Sequence, residues 1–201
     1  MFRNLLLSIL FTISTPLSAQ ESDFILKIGT SELYIPAFRT YFSSEYVAPE
    51  KNLALLRNLK PKISPIHVID FAANSPGVTT IWCRGSYPVF APEKIPYEIF
   101  LAGAIKNELT KADMYSIGAG IPLSIDLKVI DFESTGDAKW TIEATFSVPG
   151  KNPVTIKNQT PFEISFGASK ACGQVKTALV PSIQDFLFKT YSNSKFQELF
   201  K

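Results

Sequence analysis

Histidine and cysteine are scarce in this chain, which has one histidine, His67, and two cysteines, Cys83 and Cys172. A lone histidine is the only available base for a serine or cysteine nucleophile, and it cannot complete a zinc site of the usual kind. His67 lies between Ile66 and Val68 in an apolar stretch, so we interpret it as a packed or edge residue of a strand. No acidic cluster has the spacing of a calcium-binding loop. The sequence therefore predicts no catalytic residue, no metal and no cofactor.

An excess of charge of either sign is also absent, because the formal net charge is only +2. Nucleic-acid-binding domains carry a basic face, so we expect no nucleic-acid partner. No segment beyond the N-terminus approaches the roughly 20 apolar residues that span a bilayer. We therefore expect no transmembrane segment in the mature chain.

The N-terminus has the three parts of an export signal. Arg3 supplies a positive charge, Leu5–Ile13 an apolar stretch, and Leu17-Ser18-Ala19 a small-residue ending. We predict that residues 1–19 are a signal peptide cleaved after Ala19, which directs the protein to the periplasm or outside the cell. An uncleaved anchor or a buried helix is the alternative.

An exported protein meets an oxidising compartment, where an even number of cysteines most simply forms disulfides. Cys83 and Cys172 are too far apart in sequence for a redox C-x-x-C motif. We therefore predict a structural disulfide between them, with two buried free thiols as the alternative.

We divide the mature chain into an N-terminal extension, residues 20–60, and one domain, residues 61–201. The extension is expected to contain short strands near 24–28 and 32–36 and a helix over 49–59.

The domain begins with a predicted hairpin of residues 66–71 and 78–89, and a helix follows over 96–115. Apolar and polar residues alternate in Ile121–Val129 and Trp140–Val148, and a period of two is typical of strands with one buried face. With a third strand over 154–166, they form a predicted antiparallel meander.

The final helix is predicted over 168–189, with a kink or break at Pro181. The element order β-β-α-β-β-β-α predicts an α+β fold, in which helices cover one face of an antiparallel sheet.

The letters Val-Ile-Asp-Phe occur twice, at Val68–Phe71 and at Val129–Phe132, and a strand containing Trp82 or Trp140 follows each copy. This pattern has two interpretations, an internal duplication and the chance recurrence of common strand residues.

Aromatic residues are concentrated near the C-terminus. Exposed aromatics on a terminal segment can bind a partner or a lipid surface, so these residues are candidate partner or ligand contacts. Alternatively, the tail folds back and closes the core. The residues are Phe188, Tyr191, Phe196 and Phe200.

The layout of Tyr97–Leu199 resembles that of the YajG-like lipoproteins and, more distantly, of the ABC-type transport auxiliary lipoproteins. The shared features are an amphipathic helix at Phe100–Leu109, the step Asp131-Phe132, the strand Trp140–Val148 and a closing helix with the step Ala178-Leu179. The resemblance implies a non-catalytic accessory protein of the cell envelope that serves a transport system. The chain lacks the lipid-bearing cysteine of those families, since Gln20 follows the predicted cleavage point.

Three classes of function follow from these observations. The leading hypothesis is a periplasmic or secreted accessory protein that binds a protein partner in the envelope. A carrier of lipid or another small apolar ligand is the second, because sixteen phenylalanines make the chain rich in apolar rings. A small hydrolase that uses carboxylates is the third. A filled core with an exposed aromatic patch would favour the first, and an apolar pocket between sheet and helices the second.

Overall fold

The computed structural model describes residues 24–28, 31–35 and 46–201. The chain divides into two compact units, residues 1–39 and 40–201. In the first unit, strands β1 (Phe24–Ile28) and β2 (Ser31–Ile35) pair antiparallel, which confirms the predicted strand pair. The predicted signal peptide lies outside the described residues.

The second unit contains the remaining helices and strands. In chain order they are α1 (Glu50–Leu59), β3 (Ile66–Ala73), β4 (Thr80–Cys83), β5 (Tyr87–Phe90), α2 (Tyr97–Lys111), β6 (Ile121–Glu133), β7 (Lys139–Ser147), β8 (Val154–Pro161), α3 (Ala168–Ser192) and α4 (Ser194–Glu198). The fold is α+β, as the sequence predicts. Because α1 contributes to the core of this unit, it belongs with the sheet and not with the extension expected over residues 20–60.

A four-stranded sheet in the order β3-β6-β7-β8 forms the centre of the unit. The strands β6, β7 and β8 are the predicted antiparallel meander. The strand β3 runs parallel to β6, so the sheet is mixed and not wholly antiparallel. Parallel neighbours need a crossover connection, and α2 lies in the connection between β3 and β6.

The predicted hairpin of residues 66–71 with 78–89 is wrong. The strand β3 pairs with β6, whereas β4 and β5 pair with each other in a separate two-stranded sheet. A tight turn divides the stretch 78–89, since Arg84 and Gly85 adopt positive φ angles of 49° and 70°. This turn joins β4 to β5 and makes them a hairpin of their own.

The last long helix, α3, runs through Pro181 as a single element. The proline removes the donor that would bond the carbonyl of Thr177 in the preceding turn. Both residues are exposed, so water can bond that carbonyl. Of the two outcomes predicted at Pro181, a kink and a break, the break is therefore wrong.

Aromatic rings fill the space between the sheet and α3. The ring of Phe146 on β7 lies 6.3 Å from that of Phe186 and 5.1 Å from that of Phe196, and Phe200 lies 5.2 Å from Phe196. All four residues are buried. Packing between sheet and helices therefore accounts for many of the phenylalanines.

Candidate functional site

The structure separates the four predicted aromatic contacts into two groups. Tyr191, Phe196 and Phe200 are buried in the core, so their proposed role as surface contacts is wrong. The side chain of Asn193 caps α4 by accepting hydrogen bonds from the amides of residues 195 and 196, and the chain returns there to cover the core. Only Phe188 is open to solvent, with 39% of its surface exposed.

The predicted disulfide is present between Cys83 and Cys172, whose Cα atoms lie 5.8 Å apart. It joins the last residue of β4 to the first turns of α3. Both cysteines are buried, so the bond is part of the core. The β4–β5 hairpin is thereby attached covalently to the helix that covers the main sheet.

Two exposed aromatic residues lie on the outer face of this hairpin and in the segment next to its turn, and we call Trp82 and Phe166 the Trp82 surface. Trp82 is 63% exposed and Phe166 is fully exposed. Strand alternation explains the orientation of Trp82, because its neighbour Cys83 faces the core. Tyr87 is also exposed, but it pairs with Cys83 across the hairpin, and cross-strand partners share a face, so it lies on the face opposite Trp82.

Arg84 fixes the position of this surface. Its guanidinium donates to the carbonyl oxygen of Phe166 at 2.7 Å and to that of Ser134 at 2.6 Å. The hairpin turn, the β6–β7 turn and the segment after β8 are thus held together by one side chain. An open depression of about 630 Å³ lies beside the β6–β7 turn and the segment after β8. Its lining includes Asp137, Phe162 and Ile164.

A buried polar cluster lies elsewhere, where the N-terminal end of α1 meets α2 and α3. We call Tyr46, Asn52, Glu108 and Tyr191 the Glu108 cluster. The hydroxyl of Tyr46 and the amide of Asn52 donate to Oε1 of Glu108 at 2.5 and 2.9 Å. Burial raises the pKa of the Glu108 carboxyl to about 7, although the hydrogen bonds from its neighbours oppose the shift.

Glu108 was not predicted as a functional residue, but the sequence of α2 contains a signal for it. Glu108 shares one helical face with three apolar residues, because the spacings are seven to Leu101, four to Ala104 and four to Ala112. An acid in an apolar stripe is buried with the stripe.

His67 is half-buried, and its ring lies edge-on to Tyr115 at 6.0 Å between centroids. Among residues 46–201 and the two described strands before them, no group of acids, histidines and cysteines is arranged to hold a metal ion. Within the same residues, no helix is long and apolar enough to cross a membrane.

The fold and these surfaces define a disulfide-bonded α+β domain with a fixed aromatic surface. No family model and no curated protein matches the chain. Among solved structures, the chain is similar to a protein of Xanthomonas campestris assigned to the family DUF330. That similarity has a TM-score of 0.42 and 13% sequence identity, and it covers 64% of this chain and 86% of the other.

Proposed function

We propose that this chain is a non-catalytic accessory protein of the bacterial cell envelope, and that it binds a protein partner through the Trp82 surface. The observation that carries the proposal is the exposure of Trp82 on a hairpin fixed by a disulfide. Arg84 holds the backbone of the fully exposed Phe166 beside the hairpin that carries Trp82, and an exposed apolar patch on a monomer is typical of an interaction surface.

The energetics of binding support this assignment. Tryptophan and tyrosine are frequent anchors at protein interfaces, because they bury a large area and lose little side-chain entropy. The Trp82 surface is also held in place before binding, by the disulfide on one side and by Arg84 on the other. A preorganised surface loses less conformational freedom when a partner binds.

The competing role, a carrier of lipid or another apolar ligand, has less support. Rings from β7, α3 and α4 occupy the space where an apolar ligand would lie between sheet and helices. The described depression lies at an end of the sheet and includes the charged residues Asp137, Lys139 and Glu163. Service to a transport system is a narrower form of the proposal, and it comes from the layout resemblance alone.

Native mass spectrometry of the protein purified from its own periplasm tests the proposal. We expect a bound protein in the wild type and loss of that protein in Trp82→Ser. The matched control is Ile117→Ser, because Ile117 is 70% exposed but precedes β6, outside the Trp82 surface. Equal retention of the partner by Trp82→Ser and the control, at equal thermal stability, would overturn the assignment. A bound lipid in place of a protein would favour the carrier.

Two further measurements test the other parts of the proposal. N-terminal sequencing of the exported protein should begin at Gln20, and a mature chain that keeps Met1 would contradict export by signal cleavage. His67→Gln should leave partner binding within about twofold of the wild type, because a protein that works by binding needs no general base. Complete loss of activity in a folded His67→Gln variant would indicate catalysis.

A further inference from the structure

Four residues of the Glu108 cluster connect three parts of the second unit. Tyr46 and Asn52 belong to the segment 46–59, which contains α1, whereas Glu108 lies on α2 and Tyr191 on α3. The amide of Asn52 donates both to Glu108 Oε1 at 2.9 Å and to the carbonyl oxygen of Gln184 on α3 at 3.0 Å. Asn52, Glu108 and Tyr191 are all almost completely buried.

The cluster contains more acceptors than donors. Glu108 Oε2, Asn52 Oδ1 and the Tyr191 hydroxyl oxygen are buried and have no hydrogen-bond partner among the residues that the structure describes. The Tyr191 hydroxyl lies beside the Glu108 carboxyl, in a geometry that falls short of a hydrogen bond. A proton on Oε2 would remove a buried negative charge, and it would let Oε2 donate a hydrogen bond to one of these acceptors.

We propose that the Glu108 cluster is a proton-controlled contact, which holds the segment 46–59 against α2 and α3 when Glu108 is protonated and weakens when the proton leaves. Deprotonation places a negative charge between three helices and removes the hydrogen through which Oε2 could donate. The segment 46–59 is the part that should loosen, because two of the cluster's polar side chains come from it.

The surroundings supply little positive charge to offset that carboxylate. From α1, Lys51 favours the ionised form, but its ammonium is half-exposed and bonds Asp185 of α3 at 2.6 Å. On α2 itself, Lys111 is exposed. The strand β3 also packs on α2, and its titratable residues are His67 and Asp70. His67 lies between the buried Ile66 and Val68, so its side chain points to the opposite face of the sheet. Asp70 pairs with Ser124 and lies on that same helix-free face.

The direction of the pH effect follows from linkage. The pKa of Glu108 rises from 4.5 to about 7 in the folded protein because of burial. The folded state therefore binds the proton more tightly than the unfolded state, so the contribution of Glu108 to stability is complete below pH 4.5 and is lost as the pH rises toward 7. Each unit of the shift corresponds to a tenfold change in the unfolding constant, so the full effect is on the order of a hundredfold.

Hydrogen exchange of the α1 amides, measured at pH 5 and pH 8 and corrected for intrinsic rates, tests the inference. Protection of residues 50–59 in the wild type should fall at least tenfold at pH 8. In Glu108→Gln it should stay constant, because the amide mimics the protonated acid and supplies a donor. The control is Glu98→Gln, which replaces the other buried glutamate of α2, the acceptor for the amide of Gly77 at 2.7 Å. This variant should keep the wild-type pH dependence.

Identical pH dependence in the wild type and Glu108→Gln would overturn the inference. If Glu108→Gln does not fold, Tyr46→Phe provides the second test. The Tyr46 hydroxyl stabilises the ionised carboxylate, so its removal should move the midpoint of the transition to higher pH. An unchanged midpoint in a folded Tyr46→Phe protein would also overturn it.

Discussion

The indole nitrogen of Trp140 donates a hydrogen bond to the carbonyl oxygen of Val175 at 2.9 Å, which joins the middle strand β7 directly to α3. Both residues are completely buried. The same indole lies 4.9 Å from the ring of Phe132, between centroids. One side chain therefore combines the packing of the sheet with a polar contact to the covering helix.

Trp140→Phe should lower the free energy of unfolding by about 1–3 kcal/mol, because it removes a buried donor and reduces the volume of the core. Urea denaturation followed by circular dichroism measures the change. Trp82→Phe is the matched control, since Trp82 is mostly exposed and should change stability by less than about 0.5 kcal/mol. Equal losses in the two variants would contradict the assigned roles.

Gly120 should not tolerate a side chain. A Cβ atom there would lie 2.4 Å from the Ser116 carbonyl oxygen and 2.8 Å from the backbone nitrogen of His67, and neither backbone atom can move without breaking the start of the sheet. Gly120→Ala should therefore destabilise by about 1–3 kcal/mol or more. Gly118→Ala meets no atom within 4 Å and should leave the melting temperature almost unchanged.

Substitution of the C-terminal phenylalanines should cost very different amounts of stability. Phe200 is 1% exposed, so Phe200→Ser should lower the free energy of unfolding by at least about 3 kcal/mol while leaving partner affinity per folded molecule unchanged. Phe188→Ser should cost less than about 1 kcal/mol, since it removes mainly an exposed contact with the Lys51 ammonium. Melting temperature and partner affinity, measured on both variants, distinguish a residue that closes the core from one that contacts a partner. Loss of affinity in folded Phe200→Ser would restore the tail as a contact surface.

The double variant Cys83→Ser/Cys172→Ser should be less stable by up to about 4–5 kcal/mol, because the bond closes a loop with a sequence separation of 89. Peptide mapping without reduction should find the two cysteine peptides linked in periplasmic material. Alkylation of both thiols without prior reduction would show that the bond is absent from the working protein.

Local patterns predicted the local structure well. The alternation in Ile121–Val129 and Trp140–Val148 gave the meander, because half-buried neighbouring strands show their pairing in their own residues. The pairing of β3 with β6 was missed, since a crossover links strands that are distant in sequence. Nothing in Ile66–Phe71 distinguishes a partner strand nearby in the sequence from one much further along the chain.

The candidate site was predicted less well than the fold. Aromatic residues near the C-terminus have the same composition whether they are exposed or buried, and only the return of the chain at Asn193 decides between the two. The two copies of Val-Ile-Asp-Phe also have different surroundings. Trp140, which comes after the second copy, is buried in the core, whereas Trp82, which comes after the first copy, is exposed. Burial of a strand residue depends on which sheet the strand joins, and that information is not local.

The attachment of the β4–β5 hairpin has a consequence for the order in which the protein matures. The hairpin forms no pairs with the main sheet, and its covalent connection to α3 exists only after two thiols are oxidised. A newly made chain in a reducing compartment must hold the hairpin by packing and by Arg84 alone. Oxidation thus acts as a finishing step, after which the hairpin that carries Trp82 is fixed covalently to α3.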